Sequence, residues 1–425
     1  MKFICTSLPF GQELLFCLDS NEPDCCDIFY NKAVPDHHRI VIILKEEHNV
    51  RKLFCLLLCT LFCLGLFAGC GSDTTQGSVD PGTITEETVD YRGVKVGLLL
   101  NQTATDNGWS QAMAQSLQRT KDELGLSDSQ IIVVENIPDA SVEADSSIVQ
   151  LIDEGCNLII GGSSGFTKNM NAAYTAYPDV YFAQFEGDSA DNYCSFTCVD
   201  IEAIFMCGYA AALMSGVAEL GFVAAQPQSS VIRAINAWSA GAKAANPNAT
   251  VRVMWVNSWY DPATEKECAT TLIQAGVQSM GYHGGTTAVC EACEDAGAYV
   301  TGFHTDKEAY APQAVLTSFC WNWTPIFNEI ITQVATESWT SDTKYGNMAD
   351  GVAGIAPWNA DIMPQEVINQ CNEMYEAIVD GDYVVLEGPV VDNQGNEVLP
   401  EGETFTIKEL VNCYFLLDNV IGKLP

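Results

Sequence analysis

From Val94 onwards, two patterns of hydrophobic and polar positions take turns along the chain. Short continuous apolar runs, typical of buried strands, are separated by stretches in which apolar residues recur at helical spacing. The first series predicts strand 94–100, helix 110–124, strand 130–134, helix 146–154, strand 158–161, helix 167–176 and strand 180–185.

The same rhythm resumes after a long apolar helix. The second series predicts helix 203–215, strand 221–225, helix 230–246, strand 250–256, helix 262–274 and a shorter strand and helix over 278–296. Buried strands separated by helices of this length form mostly parallel sheets with right-handed crossovers. The predicted fold class is therefore α/β, with two doubly wound, Rossmann-like lobes joined by a hinge. We assign 93–200 and about 303–345 to lobe I, and 201–302 and about 346–425 to lobe II.

A separate apolar run lies upstream of both series. Residues 53–67 carry no charge, follow Arg51 and Lys52, and end at Ala68-Gly69-Cys70. The run is shorter than the roughly 20 residues of a spanning helix, and its basic, apolar and small-residue order is typical of a secretory signal. Its ending resembles a bacterial lipobox. We predict a lipoprotein signal peptide over 50–69, lipidation of Cys70 and a polar, flexible tether over 70–92.

Residues 1–49 precede this predicted signal peptide and have a mixed composition. We interpret them as an upstream extension that is absent from the translated protein, with translation starting at Val50. A genuine additional domain is the alternative.

The charge balance narrows the classes of partner. The chain has 19 Lys and Arg residues against 55 Asp and Glu, a net charge of −36. Such a surface repels nucleic-acid phosphates and anionic lipid headgroups, so nucleic-acid polymers are not expected partners. The sequence also contains no phosphate loop or histidine-rich metal motif, so neither a cofactor nor a metal is predicted.

Cysteine usage fits neither a disulfide scaffold nor a zinc module. Of the 18 cysteines, only Cys290 and Cys293 have the spacing of a metal or redox motif within the lobes, and no second pair or histidine accompanies them. We expect both to be thiols in the core of a helical segment.

Ligands of doubly wound sheets bind beyond the carboxyl ends of the strands. The loop after the first strand contains Asn101, Asp106, Trp109 and Ser110, and the corresponding loop of the second lobe contains Trp259. If the lobes close, the two indoles are predicted to face each other and to stack on a planar heterocycle, at about 1–3 kcal/mol per aromatic contact. The alternative is that each indole packs beneath its own loop.

Other loops supply polar and aromatic candidates. The remaining predicted site residues are Ser164, Phe166, Glu186, Asp306 and Trp321. Asp306 follows a strand and is suited to accept hydrogen bonds from ribose hydroxyls or a base N–H. For its neighbours His304 and Lys307, a surface role is expected.

Several motifs occur together in one order. They are "GFVAAQPQSSVIRAINAWSAGAKAAN" (221–246), "WYDP" (259–262), "HTD" (304–306) with the later "LTS" and "WNW", and "GPVVDNQGN" (388–396). Together they resemble the basic membrane protein (BMP) family, from about Val94 to Pro425. The resemblance implies a type I periplasmic-binding-protein fold and a lipid-anchored, extracytoplasmic receptor that works with an ABC permease and ATPase. It further implies a purine nucleoside ligand held by Asp106, Trp109, Trp259 and Asp306.

Two departures from the nucleoside receptors affect the expected ligand. Trp109-Ser110 stands where they have Phe-Asn, and Trp321 stands where they tend to have Lys. A lost cation and an added indole favour a purine base or a similar flat compound, with a nucleoside still open. Trp109→Ala and Trp259→Ala are each expected to weaken purine binding by tens-fold or more without unfolding the protein.

Two other classes of function remain open at this point. A surface sensor without a transporter fits the lipid anchor equally well. An anchored nucleoside-processing enzyme would require a carboxylate pair, whereas the loop acids Asp106, Glu186, Asp188 and Asp306 show no ligand-like spacing. The sequence therefore favours a receptor and not an enzyme.

Overall fold

The computed structural model describes residues 2–8, 12–18, 40–44 and 89–425, which fall into two compact units divided after Ile84. The first unit contains β1 (Lys2–Leu8), β2 (Gln12–Leu18) and β3 (Ile40–Leu44). Strand β2 pairs antiparallel with β1 and parallel with β3. The predicted signal peptide, Cys70 and most of the predicted tether lie outside the described residues.

The second unit contains the alternating strands and helices. Its strands are β4 (Val96–Leu99), β5 (Ile131–Val134), β6 (Leu158–Gly161), β7 (Tyr181–Phe185), β8 (Tyr193–Cys198), β9 (Glu219–Ala224), β10 (Thr250–Trp255), β11 (Ser279–His283), β12 (Tyr299–Gly302), β13 (Val315–Trp321), β14 (Lys344–Gly346), β15 (Ala353–Ile355), β16 (Val390–Val391), β17 (Glu397–Leu399) and β18 (Val420–Ile421). Its α-helices are α1 (Trp109–Leu124), α2 (Val142–Asp153), α3 (Thr167–Ala176), α4 (Ile201–Met214), α5 (Ser229–Ala245), α6 (Pro262–Gln274), α7 (Ala288–Ala296), α8 (Thr324–Ala335), α9 (Gln365–Val379) and α10 (Ile407–Val411).

Two large sheets organise this unit. The first has six strands in the order β14-β8-β7-β6-β4-β5, and every neighbouring pair is parallel. The second has seven strands in the order β15-β13-β12-β11-β9-β10-β18, and only β15 is antiparallel to its neighbour. The predicted α/β class with two mostly parallel sheets is confirmed.

The chain passes between the two sheets three times: after β8, after β13 and after β14. The predicted return to lobe I near residue 303 is wrong, because β13 pairs with β12 inside the second sheet. The return follows Trp321 and leads to α8 and β14. Strands and helices alternate alike in both lobes, so the alternation does not indicate which sheet a strand joins.

The first sheet is covered on both faces, as parallel sheets generally are. Leu98 belongs to the main hydrophobic core, which continues into the second lobe, whereas Leu99 belongs to a smaller cluster beneath α2 and α3. Adjacent strand residues point to opposite faces, which explains why neighbours enter different clusters.

Helices α4 and α5 approach each other at two glycines. A Cβ atom at Gly208 would collide with the carbonyl oxygen of Trp238, and one at Gly241 with that of Phe205. Only glycine permits this backbone approach. The close contact holds α4, which Asp200 precedes, against α5, which contains Arg233.

The paired thiols lie in the core. Cys290 and Cys293 are on α7, both buried and both free, and burial raises the pKa of Cys290 to about 11. Such thiols are protonated and poorly reactive at neutral pH. As for membrane crossing, none of the helices in the described ranges is both long enough and apolar enough to span a bilayer.

Candidate ligand-binding site

Backbone strain is concentrated in loops at the carboxyl ends of the strands. Asn107, Glu186, Asn257 and His304 follow β4, β7, β10 and β12, and their φ angles are 59°, 50°, 57° and 72°. The left-handed region is unfavourable for residues other than glycine, by about 1–3 kcal/mol where the side chain gives no help. Strain of this kind persists where the surrounding structure enforces it, commonly at binding sites.

Asn107 joins the two lobes at the edge of this region. Its carbonyl oxygen accepts hydrogen bonds from Thr305 Oγ1, at 3.0 Å, and from Lys307 Nζ. Its side-chain Oδ1 is 2.6 Å from the hydroxyl of Tyr310, which donates to it. A loop of lobe I is therefore held by three side chains from one loop of lobe II.

Lys307 is fully buried, and the expectation of a surface role for it is wrong. Besides Asn107, its ammonium group donates to Thr305 Oγ1 at 2.6 Å. Burial lowers the pKa of Lys307, since the charged form loses hydration that its few partners only partly replace. The sequence did not indicate this burial because it depends on contact between loops about 200 residues apart.

Trp109 stands at the first turn of α1, within an aromatic cluster. Its ring centroid is 4.6 Å from that of Phe185, 5.2 Å from Trp321 and 5.7 Å from Trp323. Its indole Nε1 donates to the carbonyl oxygen of Gly162 at 2.5 Å. Trp109 is partly exposed, so this cluster fixes its ring while one side stays accessible.

A line of four rings connects Trp109 to Trp259. The ring centroids are 6.3 Å apart from Trp109 to His304, 5.7 Å from His304 to His283, and 6.0 Å from His283 to Trp259. Trp259 is 47% exposed. The two indoles thus lie at the ends of a connected aromatic surface, with the two imidazoles between them.

Both histidines are neutral at physiological pH. Burial lowers the pKa of His283 to about 4, and burial together with His283 and Lys307 lowers the pKa of His304 well below its ordinary value. The Nδ1 atom of His304 accepts a hydrogen bond of 2.9 Å from Trp321 Nε1, which only an unprotonated nitrogen can do.

A buried ion pair lies near the same region. Arg233 on α5 donates from Nε and Nη2 to the two carboxylate oxygens of Asp200, at 2.8 and 2.9 Å. Their side chains are 8% and 5% exposed. Although burial opposes it, the pairing with Asp200 raises the pKa of Arg233. Desolvation of its carboxylate by neighbouring atoms raises the pKa of Glu186, although the residue as a whole is exposed, and the nearby Arg233 partly offsets that effect.

The sequence model of one protein family matches residues 93–385, and its description is "ABC transporter substrate-binding protein PnrA-like", under the name Bmp. The chain belongs to the Bmp family. The predicted resemblance is confirmed, and with it the class of ABC transporter substrate-binding proteins, which bind small molecules outside the cytoplasm.

Individual relatives of this Bmp family member differ in the ligand their names give. A purine-binding protein of Brucella abortus is 29% identical over 333 residues, which cover 78% of this chain and 94% of the relative. A putative ABC transporter glucose-binding protein of Haloferax volcanii is 28% identical over 340 residues, which cover 78% of this chain and 83% of the relative.

Solved structures establish the fold of this Bmp protein. An ABC transporter solute-binding protein from Conexibacter woesei matches with a TM-score of 0.59 and 19% identity, over 68% of this chain and 98% of that chain. A transcriptional activator of the comK gene from Bacillus halodurans matches with a TM-score of 0.60 and 23% identity, over 68% and 99%. The predicted two-lobed type I periplasmic-binding-protein fold is thereby confirmed.

In the first loop of this Bmp protein, several predicted site residues form hydrogen bonds within the loop and to the start of α1. The Asp106 carboxylate accepts backbone N–H groups of Gly108 at 2.7 Å, Gln111 at 3.0 Å and Ser110 at 3.2 Å. It therefore caps α1, where a negative charge also complements the helix dipole. The Ser110 hydroxyl is fully buried and donates to Asn101 Oδ1 at 3.2 Å.

The other predicted site residues differ in how far their side chains are exposed to solvent. Phe166 is fully buried in the smaller core cluster and faces no open space, so the structure gives it a packing role instead of the predicted ligand contact. Ser164, Glu186 and Asp306 are exposed. Trp321 is stacked on Trp323 at 5.3 Å, with 14° between the rings.

Sequence reasoning missed His283 and underestimated His304. Both stand at or just after the carboxyl end of a strand, β11 and β12, in the position that singled out the other candidates. That position is the signal that would have identified them. Asp200 and Arg233 gave no comparable signal, since only the packing of α4 against α5 brings them together.

The low pKa of His283 makes stability depend on pH. An unfolded histidine titrates near pH 6.5, so between pH 6.5 and about 4 the unfolded state binds more protons and acidification destabilises the fold. We expect His283→Gln to remove this contribution. The difference in free energy of unfolding between wild type and variant should shrink by up to about 2 kcal/mol from pH 7 to pH 5, measured by urea denaturation. A pH-independent difference would contradict a neutral, buried His283.

Proposed function

We propose that this protein captures a purine base or nucleoside between its two lobes and delivers it to an ABC importer. The observation that carries the proposal is the line of four rings from Trp109 through His304 and His283 to Trp259. It combines flat apolar faces with neutral nitrogen donors and acceptors, which suits a planar nitrogen heterocycle. The purine-binding relative from Brucella abortus supports the same ligand class.

Capture requires the lobes to move about the three crossing segments. The hydrogen bonds from Thr305, Lys307 and Tyr310 to Asn107 hold the loops of the two lobes together. A ligand that touches both lobes binds this closed arrangement more tightly than an open one, and shifts the equilibrium by that difference in affinity. The closed arrangement is then the form recognised by the permease.

Location follows from the same proposal. The signal peptide over 50–69 and a lipid on Cys70 would anchor the protein on the outer face of the membrane, with 70–92 as the tether. The net charge of −36 keeps the lobes away from anionic headgroups, so the anchor and not the surface provides membrane attachment.

Calorimetric titration of the purified protein with adenine, guanine, hypoxanthine, adenosine, inosine and glucose tests the ligand class. We expect the purines to bind and glucose to give no heat. Binding of glucose alone would overturn the proposal and match the relative from Haloferax volcanii. Release of adenine from adenosine during the titration, detected by chromatography, would identify an enzyme instead. Loss of purine uptake on deletion of the gene would separate an importer from a sensor.

Trp259→Ala is expected to weaken purine affinity by tens-fold, because it removes an aromatic contact of about 1–3 kcal/mol. Since the indole is 47% exposed, the free energy of unfolding should change by no more than about 0.5 kcal/mol. Tyr260→Ala is the matched control, a neighbouring aromatic residue that is 70% exposed. Equal affinity of the Trp259 variant and wild type in calorimetry would remove Trp259 from the site.

A further inference from the structure

We propose that His304 determines ligand specificity by donating its Nε2–H to a ring nitrogen of the bound purine. This inference rests on the proposed function, because it assigns the polar contact within the same site. Three features of His304 support it: the hydrogen bond from Trp321, the partly exposed imidazole and its position among the rings.

Trp321 fixes the tautomer of His304. The indole Nε1 can only donate, and it donates to His304 Nδ1 at 2.9 Å. The accepting nitrogen therefore carries a lone pair, and a neutral imidazole then has its proton on Nε2. The indole that stands where nucleoside receptors tend to have lysine thus turns the neighbouring histidine into an oriented donor.

The proton on Nε2 has no acceptor within residues 89–425. No described residue accepts a hydrogen bond from it. Nε2 is also not one of the buried side-chain atoms that lack a hydrogen-bond partner. Nδ1 of His283, in contrast, is one of those buried atoms, and no side chain of residues 89–425 donates a hydrogen bond to it. Of the two imidazoles, His304 is the one whose tautomer, and so whose Nε2 donor, is fixed by a hydrogen bond.

The position of His304 is enforced by the surrounding structure. Its φ of 72° lies in the left-handed region, which few residues other than glycine adopt, so the packing around it maintains this backbone conformation. Its ring lies 6.3 Å from that of Trp109 with 73° between the planes. A base stacked on Trp109 would therefore meet the imidazole at a steep angle, which is the geometry of an edge contact.

A ligand–protein cycle tests this contact. Adenine and its 1-, 3- and 7-deaza analogues, each lacking one ring acceptor, are titrated into wild type and His304→Phe by calorimetry. We expect one analogue to bind wild type about ten-fold more weakly than adenine does, since a hydrogen bond contributes about 0.5–1.5 kcal/mol. In His304→Phe, adenine should lose about the same factor, and the sensitive analogue should lose nothing further.

A second variant distinguishes a positioning effect from general damage. Trp321→Phe keeps an aromatic ring but removes the N–H that fixes the tautomer, so both imidazole tautomers should become populated. Nitrogen-15 NMR of the imidazoles reports this directly, and His283→Gln assigns the only other histidine of residues 89–425. We expect mixed tautomers and a several-fold weaker affinity for adenine in Trp321→Phe.

The outcomes separate the inference from the proposed function. If no purine binds wild type, the proposed function fails and the inference with it. If adenine binds wild type and His304→Phe equally, or if the deaza losses add to that of the variant, only the inference fails. Should His304→Phe not fold, adenine titrated into wild type must shift the Nε2 resonance of His304, and an unshifted resonance overturns the inference.

Discussion

Asp200→Ala is expected to lower the free energy of unfolding by about 3–5 kcal/mol, the largest effect of a single substitution that we predict. The variant would leave the Arg233 guanidinium buried without its carboxylate partner. Arginine does not escape by losing its proton, since the pKa of a guanidinium group stays far above neutral in proteins. Urea denaturation at neutral pH measures the loss.

An exposed pair provides the matched control. Lys243 Nζ lies 2.7 Å from Asp418 Oδ1, but the two side chains are 42% and 45% exposed. Asp418→Ala should therefore change stability by less than about 1 kcal/mol. Replacing both buried partners, as in Asp200→Leu with Arg233→Met, should recover most of the lost stability because no charge stays buried. A loss below 1 kcal/mol in Asp200→Ala would contradict the burial of the pair.

Local signals predicted the elements of the fold well. Helices α3 and α6 begin and end where the sequence placed them, at 167–176 and 262–274. Asp261 caps α6, accepting the Thr264 N–H at 3.0 Å. Helical periodicity, a capping carboxylate and a proline in the first turn all act within a few residues, so a single sequence contains them.

Contacts between distant segments were not predictable in the same way. Strand β8 (Tyr193–Cys198) was not predicted, although it pairs with both β7 and β14. The burial of Lys307 likewise depends on Asn107, far away in the chain. Hydrophobic periodicity indicates which face of an element is buried, but it does not identify the partner.

In the candidate site, too, the sequence indicated individual residues but not the contacts between distant segments. The position after a strand end identified Trp109, Trp259 and Asp306 as candidates, and their roles in ligand binding stay predictions. The rings around Trp109 come from the end of β7 (Phe185) and from the end of β13 with the residues after it (Trp321 and Trp323), two segments that only the fold brings together. Because of this packing, Trp109→Ala is expected to lose stability as well as affinity, while the variant still folds.

Trp109→Ala is expected to weaken purine binding by tens-fold or more and also to lower the free energy of unfolding by about 3 kcal/mol. This is the low end of the range for removing a large aromatic side chain, since the ring is partly exposed. The variant loses four aromatic contacts, with Phe185, His304, Trp321 and Trp323, and leaves the carbonyl oxygen of Gly162 without its indole donor. Affinity is measured by calorimetry at a temperature where circular dichroism shows the variant to be folded.

Trp339→Ala is the control that separates stability from binding. Trp339 is also partly exposed, lies against the ring of Tyr181 at 4.7 Å and donates its indole N–H to the carbonyl oxygen of Asp191 at 3.0 Å. Its removal should destabilise the protein while purine affinity stays within about two-fold of wild type, because an aromatic contact to the ligand contributes about 1–3 kcal/mol only where the ring touches it. If Trp109→Ala, while folded, binds purines as tightly as Trp339→Ala does, then Trp109 is a packing residue and the purine site must be sought around Trp259 alone.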